Sequence, residues 1–365
     1  MTMSVFGNGR GSGVALCTRW LGLIMAVVVV MAMLVGCDQS DSRERVRVLA
    51  VTVPGTPWHD MWARFGAAAE QLPEPLIRVE LFVLSQFGPE ENMIANLRRN
   101  RAQIAGLSLQ GASQVVPELN LLLAPYLFES QQELDFILDN YLLAAYSELL
   151  EEQGLTIIQW ADVGWTHLYA RQPMLEPEQV QGQRLRTSRA SGARIFGRVL
   201  EANQIVLPFT DVIPSLQTGL IDGGQSGVGM FAMAGIASEA NHLMLTAHAY
   251  DAGLIVANAA WWKGLTPDVR GQIRQALDPV DQTRVDVRAL IARLEAGLRA
   301  NPDVTVHDLK PDQRLAWQAA SADATAQLID QIGGRATEIY QRIQEGKAAF
   351  QAHHAQAHEA NQSDD

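Results

Sequence analysis

Val46-Arg47-Val48-Leu49-Ala50-Val51-Thr52-Val53-Pro54-Gly55-Thr56-Pro57-Trp58 is the stretch that sets the fold class. Residues 46–53 read as a strand, Pro54-Gly55-Thr56-Pro57 breaks it, and Trp58, Met61, Trp62, Phe65 and Ala69 follow at helical spacing, with Thr56 or Pro57 starting the helix. The unit then repeats. Residues 78–84 alternate as a second strand, and Gly88-Pro89 leads into a helix with Glu90 and Glu91 in its first turn, where the helix dipole favours acids. Met93, Ile94 and Leu97 supply that helix's buried face, and residues 103–109 read as a third strand. Strand, helix, strand, helix, strand is the pattern of a parallel sheet with crossover helices, so the class is α/β.

Downstream the theme recurs. Residues 155–160 and 167–170 are strand-like, 184–187 form a short strand and 193–202 a helix, which makes a second α/β unit. From Thr266, with Pro267 and Asp268 behind it, Val269, Ile273, Leu277, Val280, Val287, Ile291, Leu294 and Leu298 keep a helical period. Pro279 should kink or break that helix. No internal repeat is visible, and the tail after Gln351 reads as frayed and solvated.

At the N-terminus no acid precedes Asp38, the only charges are Arg10 and Arg19, and an apolar run covers 21–35. This is the layout of a secretory signal. Its end, Leu34-Val35-Gly36-Cys37, resembles a bacterial lipobox, which implies that residues 1–36 are removed and Cys37 carries a lipid anchor ahead of a tether at 37–44. Asp38 directly after the cysteine implies, by the same resemblance, retention at the inner membrane of a periplasmic space. Without the signal the chain keeps 26 of its 28 basic residues against all 40 acidic ones, a balance that argues against nucleic acid as a partner. Cys17 leaves with the signal, so no intrachain disulfide and no CxxC metal site remain. His353, His354 and His358 lack an acid at zinc-protease spacing, Gly223-Gly224 lacks the lysine of a nucleotide loop, and no GxSxG elbow occurs. The residues therefore point to no catalysis, cofactor or metal.

Several stretches, in order, carry a family likeness: Ser85-Gln86-Phe87-Gly88, Val116-Pro117-Glu118-Leu119 with Ala124-Pro125-Tyr126-Leu127-Phe128, and Gly182-Gln183-Arg184-Leu185-Arg186. Pro208-Phe209-Thr210-Asp211-Val212 and Ser215-Leu216-Gln217-Thr218-Gly219-Leu220-Ile221-Asp222-Gly223 complete it. Each is weak alone; together they resemble the solute-binding proteins of tripartite ATP-independent periplasmic (TRAP) transporters. The resemblance implies a two-domain periplasmic-binding-protein-like α/β fold with crossing strands, a central ligand cleft and a long helix spanning both domains. Domain I would be 45–162 with 252–365, and domain II 163–251. The implied function is capture of a small organic acid and its delivery to TRAP membrane subunits.

Arg186 matches the family's carboxylate-binding arginine, and a planar guanidinium offers a carboxylate two parallel donors. Phe209 matches a ring that packs on the ligand in relatives, with a core role as its rival. Gln225 and Ser226 lie where relatives place an acidic or amide residue and a ligand-facing asparagine, here replaced by serine. Thr166 stands where many relatives carry a second carboxylate-binding arginine, which leaves the ligand's identity open. From the position of strand ends alone, Thr56, Ser85, Glu90, Ser108 and Gln110 fall at carboxyl ends of strands, where open α/β sheets bind ligands. Trp165 would wall the pocket and Asn258 supply an amide, with plain packing the rival for each. A ligand-sensing lipoprotein of the same fold, or an envelope enzyme acting on an acidic metabolite, are the alternatives from other classes.

Overall fold

The first three strands form where apolar alternation places them, each ending short of its expected last residue. The computed structural model describes residues 42–363 apart from Val53, Leu84, Ser85 and Phe87. The expected signal and Cys37, most of the tether, and Ser85 lie outside the described residues. Beyond Arg43 the chain is one compact unit. Its strands are β1 (Glu44–Leu49), β2 (Ile77–Phe82), β3 (Ile104–Ser108), β4 (Leu155–Ala170), β5 (Arg184–Thr187), β6 (Asn203–Val206), β7 (Gly223–Gly227), β8 (His242–Asn258) and β9 (Thr305–His307). They form one sheet in the order β2-β1-β3-β8-β4-β7-β5-β6, with β9 on β8.

Two parallel triplets occupy the ends of this sheet. β1 pairs parallel with β2 and β3, while β5 pairs parallel with β6 and β7. Between them run β4 and β8, antiparallel and long enough to belong to both. β4 is one strand of 16 residues where the sequence shows two pieces. The reason is local: its register against β8 shifts between Ile157 and Gln159, Asp162 and Gly164, and Thr166 and Leu168. Each bulge takes a residue out of the alternation, so the period of two breaks although the strand continues.

Helices cover the sheet as the periodicity requires. Helix Pro57–Glu70 buries Met61, Trp62, Phe65 and Ala69 in a cluster with Val46, Val48 and Ile104, while Trp58 stays outside that stripe. Pro279 ends one helix and opens another. Pro267–Ala276 is capped by Thr266, whose hydroxyl accepts from Val269 N, and Val280–Ala300 begins directly after the proline. This long helix reaches both ends of the sheet. Val280 packs on the cluster containing Leu49 and Leu107, whereas Ile291, Leu294 and Leu298 pack with Val228 and Phe231. The C-terminal segment differs from expectation: helix Ala336–Ser363 continues through the region read as frayed, although Gln351, Ala352 and His353 are exposed. Its alanines at 352, 355, 357 and 360 are the best intrinsic helix formers, which accounts for the continuation.

Candidate ligand-binding site

Strand direction places the site. Ser108, the last residue of β3, is level with Gly253 of β8 and Ala161 of β4. Gly227, the last residue of β7, is level with Thr166 of β4, which is itself opposite Ala249 of β8. The carboxyl ends of both outer triplets therefore face a window floored by residues 162–165 of β4 and 250–252 of β8. Open α/β sheets bind ligands outside the carboxyl ends of their strands, and here two such ends converge on one place.

On the β5–β7 side stands Arg186. Its Nε and Nη2 donate to Leu207 O at 3.1 and 2.9 Å, and its guanidinium lies 5.7 Å from the centre of the Phe209 ring. No carboxylate among the described residues pairs with it, whereas its neighbour Arg184 is exposed and bound to Asp222 at 2.5 Å. Burial pulls the Arg186 pKa down, so the site holds a cation without supplying its counter-charge. Tyr169 lies beside it with a buried hydroxyl that has no hydrogen-bond partner among the described residues, and burial pushes that hydroxyl up to about 12. The approach depends on Gly224: a Cβ there would sit 2.6 Å from Tyr169 Oη and 3.2 Å from Arg186 Cβ.

Gln225 is committed to the wall behind. Its Nε2 donates to Ala193 O at 2.8 Å, which orients the amide so that Oε1 accepts from His248 Nε2 at 2.9 Å. Nδ1 of His248 is then the acceptor for the Thr246 hydroxyl, 2.8 Å away, and the ring stacks on Phe196 at 3.8 Å. Burial keeps His248 neutral and lowers His167 to about 3; the latter accepts from Ala247 N through Nδ1. Ser226 is buried on β7 opposite His167. This network fixes the wall without exposing a charge.

Across the window, Trp165 packs edge-on against Tyr250 at 4.8 Å, and Thr166 marks the β7 edge. Trp58 bridges the two sides: its indole donates to Asp162 O at 2.8 Å, and a Cβ added at Gly229 would meet its ring at 3.4 Å. At the end of β3, Glu90 accepts from Ser108 N at 2.6 Å and from Ser108 Oγ at 2.7 Å, and Ser108 in turn caps the short helix Leu109–Ala112. Gln110 donates to Asp251 Oδ2 at 3.2 Å. Thr56 is fully buried and caps helix Pro57–Glu70 through His59 N.

Asn258 is not brought to the window. It lies at the other end of β8, level with Leu155, where Oδ1 accepts from Trp261 N and Nδ2 donates to Leu97 O, both at 2.7 Å. Its amide is a helix cap and a strut. Asn258→Ala should therefore cost about 2 kcal/mol, combining a lost cap with an unpaired buried carbonyl. Urea unfolding reads that loss, and ligand affinity should stay unchanged. Sequence reasoning missed Tyr169 and Asp251. The signal for the second was available, since Asp251 is the only acid in β8 and no lysine or arginine accompanies it there.

Two triplets of parallel strands, a pair of crossing strands and a long helix over both define a two-domain periplasmic binding protein. Residues 50–331 match the family model described as bacterial extracellular solute-binding protein, family 7, and the chain belongs to that family, the solute-binding proteins of TRAP transporters. Among curated relatives, the C4-dicarboxylate-binding periplasmic protein of Rhodobacter capsulatus is 23% identical over 290 residues, covering 78% of this chain and 86% of the relative. A TRAP periplasmic solute-binding protein of Sulfurospirillum deleyianum, solved with succinate, superposes with a TM-score of 0.73 at 24% identity, covering 83% of this chain and 99% of its own. The sugar-acid-binding protein of Advenella mimigardefordensis, solved with galactonate, gives a TM-score of 0.77 at 21% identity, covering 84% and 99%. Among the described residues no helix is long and apolar enough to cross a membrane.

Proposed function

We propose that this chain captures a small organic carboxylate in the window between two lobes, residues 45–162 with 252–365 and residues 163–251, and delivers it to TRAP membrane subunits. The observation that carries this reading is Arg186, a half-buried guanidinium beside Phe209 with no carboxylate partner among the described residues. A cation held out of water gains most from an anion that arrives with the ligand and completes the pair. Closure of the lobes around it would lower the local dielectric and strengthen each charged hydrogen bond. The ligands named for the relatives, a C4-dicarboxylate, succinate and galactonate, share a carboxylate and support the same class. We read the chain as a binder and not as an enzyme, in keeping with those relatives. A thermal-shift screen of monocarboxylates, keto acids, dicarboxylates and sugar acids, each beside its uncharged amide, tests the reading. An acid at a hundred times its Kd should stabilise the fold by about 2.7 kcal/mol, and its amide should not. If no acid raises the melting temperature, carboxylate capture is wrong.

Cys37 as a lipid anchor, at the inner membrane, extends this reading. It rests on the run Leu34-Val35-Gly36-Cys37 followed by Asp38. Cys37→Ala in the native host should move the protein from the membrane pellet to the released periplasmic fraction. Equal membrane association of variant and wild type would exclude the anchor.

A further inference from the structure

Asp251 lies in the floor of the window, opposite Gly164, past the row at which β3 ends. It is only 8% exposed, and among the described residues nothing hydrogen-bonds its Oδ1, although Oδ2 accepts from Gln110. The other floor acid, Asp162, is paired on both oxygens, with Tyr250 and with Arg288. Asp251 has no such cation among the described residues. The charge that acts on it is that of Glu90, also acidic, held at the end of β3 by Ser108 and likewise without an arginine or lysine partner among the described residues. One side of the window thus offers an unmatched cation in Arg186, and its floor offers an unmatched acid.

We infer that the ligand is a zwitterion, with a carboxylate for Arg186 and a positively charged nitrogen for Asp251. The inference rests on the carboxylate-capture reading and narrows its substrate class. A buried carboxylate with a bare oxygen is costly unless a donor reaches it, and a donor carrying charge compensates more than a neutral one. Burial, opposed by the Gln110 hydrogen bond and reinforced by Glu90, raises the Asp251 carboxyl to about 7, so an arriving cation would draw it back to the ionised form. The rings fit the same chemistry. Trp58 and Trp165 both stand at the window, and indole faces attract ammonium and amidinium groups. A ligand's second carboxylate finds the opposite conditions: Thr166 offers no charge, and Asp251 and Glu90 repel it.

The test uses the purified protein and matched series of three to six carbons, each comprising a diacid, an ω-hydroxy acid and an ω-amino acid; at four carbons these are succinate, 4-hydroxybutanoate and 4-aminobutanoate. Thermal shift ranks them and calorimetry gives Kd. In the best-fitting series the amino acid should bind about 10- to 100-fold more tightly than the diacid, the worth of one charge-assisted hydrogen bond, and Asp251→Asn should erase that preference. If Asp251→Asn fails to fold, the wild-type ranking decides alone. A diacid or hydroxy acid that binds as well as the amino acid, or a preference that survives in Asp251→Asn, overturns the zwitterion while leaving carboxylate capture intact. If no member of any series binds, the zwitterion falls, and carboxylate capture is decided by the wider screen of keto acids and sugar acids.

Discussion

Arg186→Ala should abolish tight ligand binding and leave the fold almost as stable as before. The binding loss follows from leaving a desolvated ligand carboxylate without its guanidinium, which costs about 3–5 kcal/mol, on the order of a hundred- to several-thousand-fold in Kd. The small effect on stability follows from what Arg186 touches within the protein. Among the described residues its hydrogen bonds go to one carbonyl, Leu207 O, and its guanidinium also lies over the Phe209 ring. Its pKa lies below the usual arginine value because burial outweighs the nearby Tyr169 hydroxyl, so the folded chain holds this charge at a cost. Removing it relieves that cost. Arg186→Lys separates charge from geometry: it restores the positive end without the planar fork and should recover only part of the affinity. Calorimetry on a ligand found by the thermal-shift screen measures both variants. An alanine variant that binds as wild type would remove Arg186 from the site.

The sequence shows why this residue was legible and its neighbours were not. Residues 184–187 read as a strand, which β5 matches residue for residue, and the short motif around Arg186 gives its place in the family pattern. Parallel strands β1 to β3 were equally plain, because Val, Ile and Leu cluster in short runs closed by Gly and Pro. The crossing strands resisted for a physical reason. Bulges in β4 break its alternation, and β8 buries nearly every residue from Leu243 onward, so it lacks a polar face to betray its period. Asn258 shows the opposite failure: an amide at a strand end looks free in sequence, and only the fold reveals that both its ends are used for capping. Arg288 is not legible in the sequence because its meaning lies in partners far along the chain. Arg288 meets Asp135 and Asp162 across more than a hundred positions, and no local pattern encodes such a distance.

Asp162→Ala should be the most damaging single change at the window for stability. Asp162 is 3% exposed on β4; Oδ2 accepts from Arg288 Nε at 2.8 Å, Oδ1 accepts from the Tyr250 hydroxyl on β8, and its carbonyl accepts from Trp58. One residue therefore joins both crossing strands, the long helix and the start of helix Pro57–Glu70. Burial raises the Asp162 carboxyl pKa, and the Tyr250 hydrogen bond and Arg288 charge pull it back only in part, so the ion pair is not a large net stabiliser. The cost of truncation comes from what is left behind: Arg288 loses a buried counter-charge and Tyr250 loses its acceptor. Such losses cost about 3–5 kcal/mol when the remaining charge has no other partner, and here Asp135, 2.8 Å from Arg288, shares the load, which places the effect near about 3 kcal/mol. Tyr250→Phe, which removes one hydrogen bond and leaves the ion pair, should cost about 1 kcal/mol. The double variant Asp162→Ala with Arg288→Met should be more stable than Asp162→Ala alone, because the stranded guanidinium goes with its partner. Chemical denaturation of wild type, Asp162→Ala, Arg288→Met and the double variant reads the coupling. A double variant less stable than Asp162→Ala would mean that packing along the long helix, and not an unpaired charge, sets the loss.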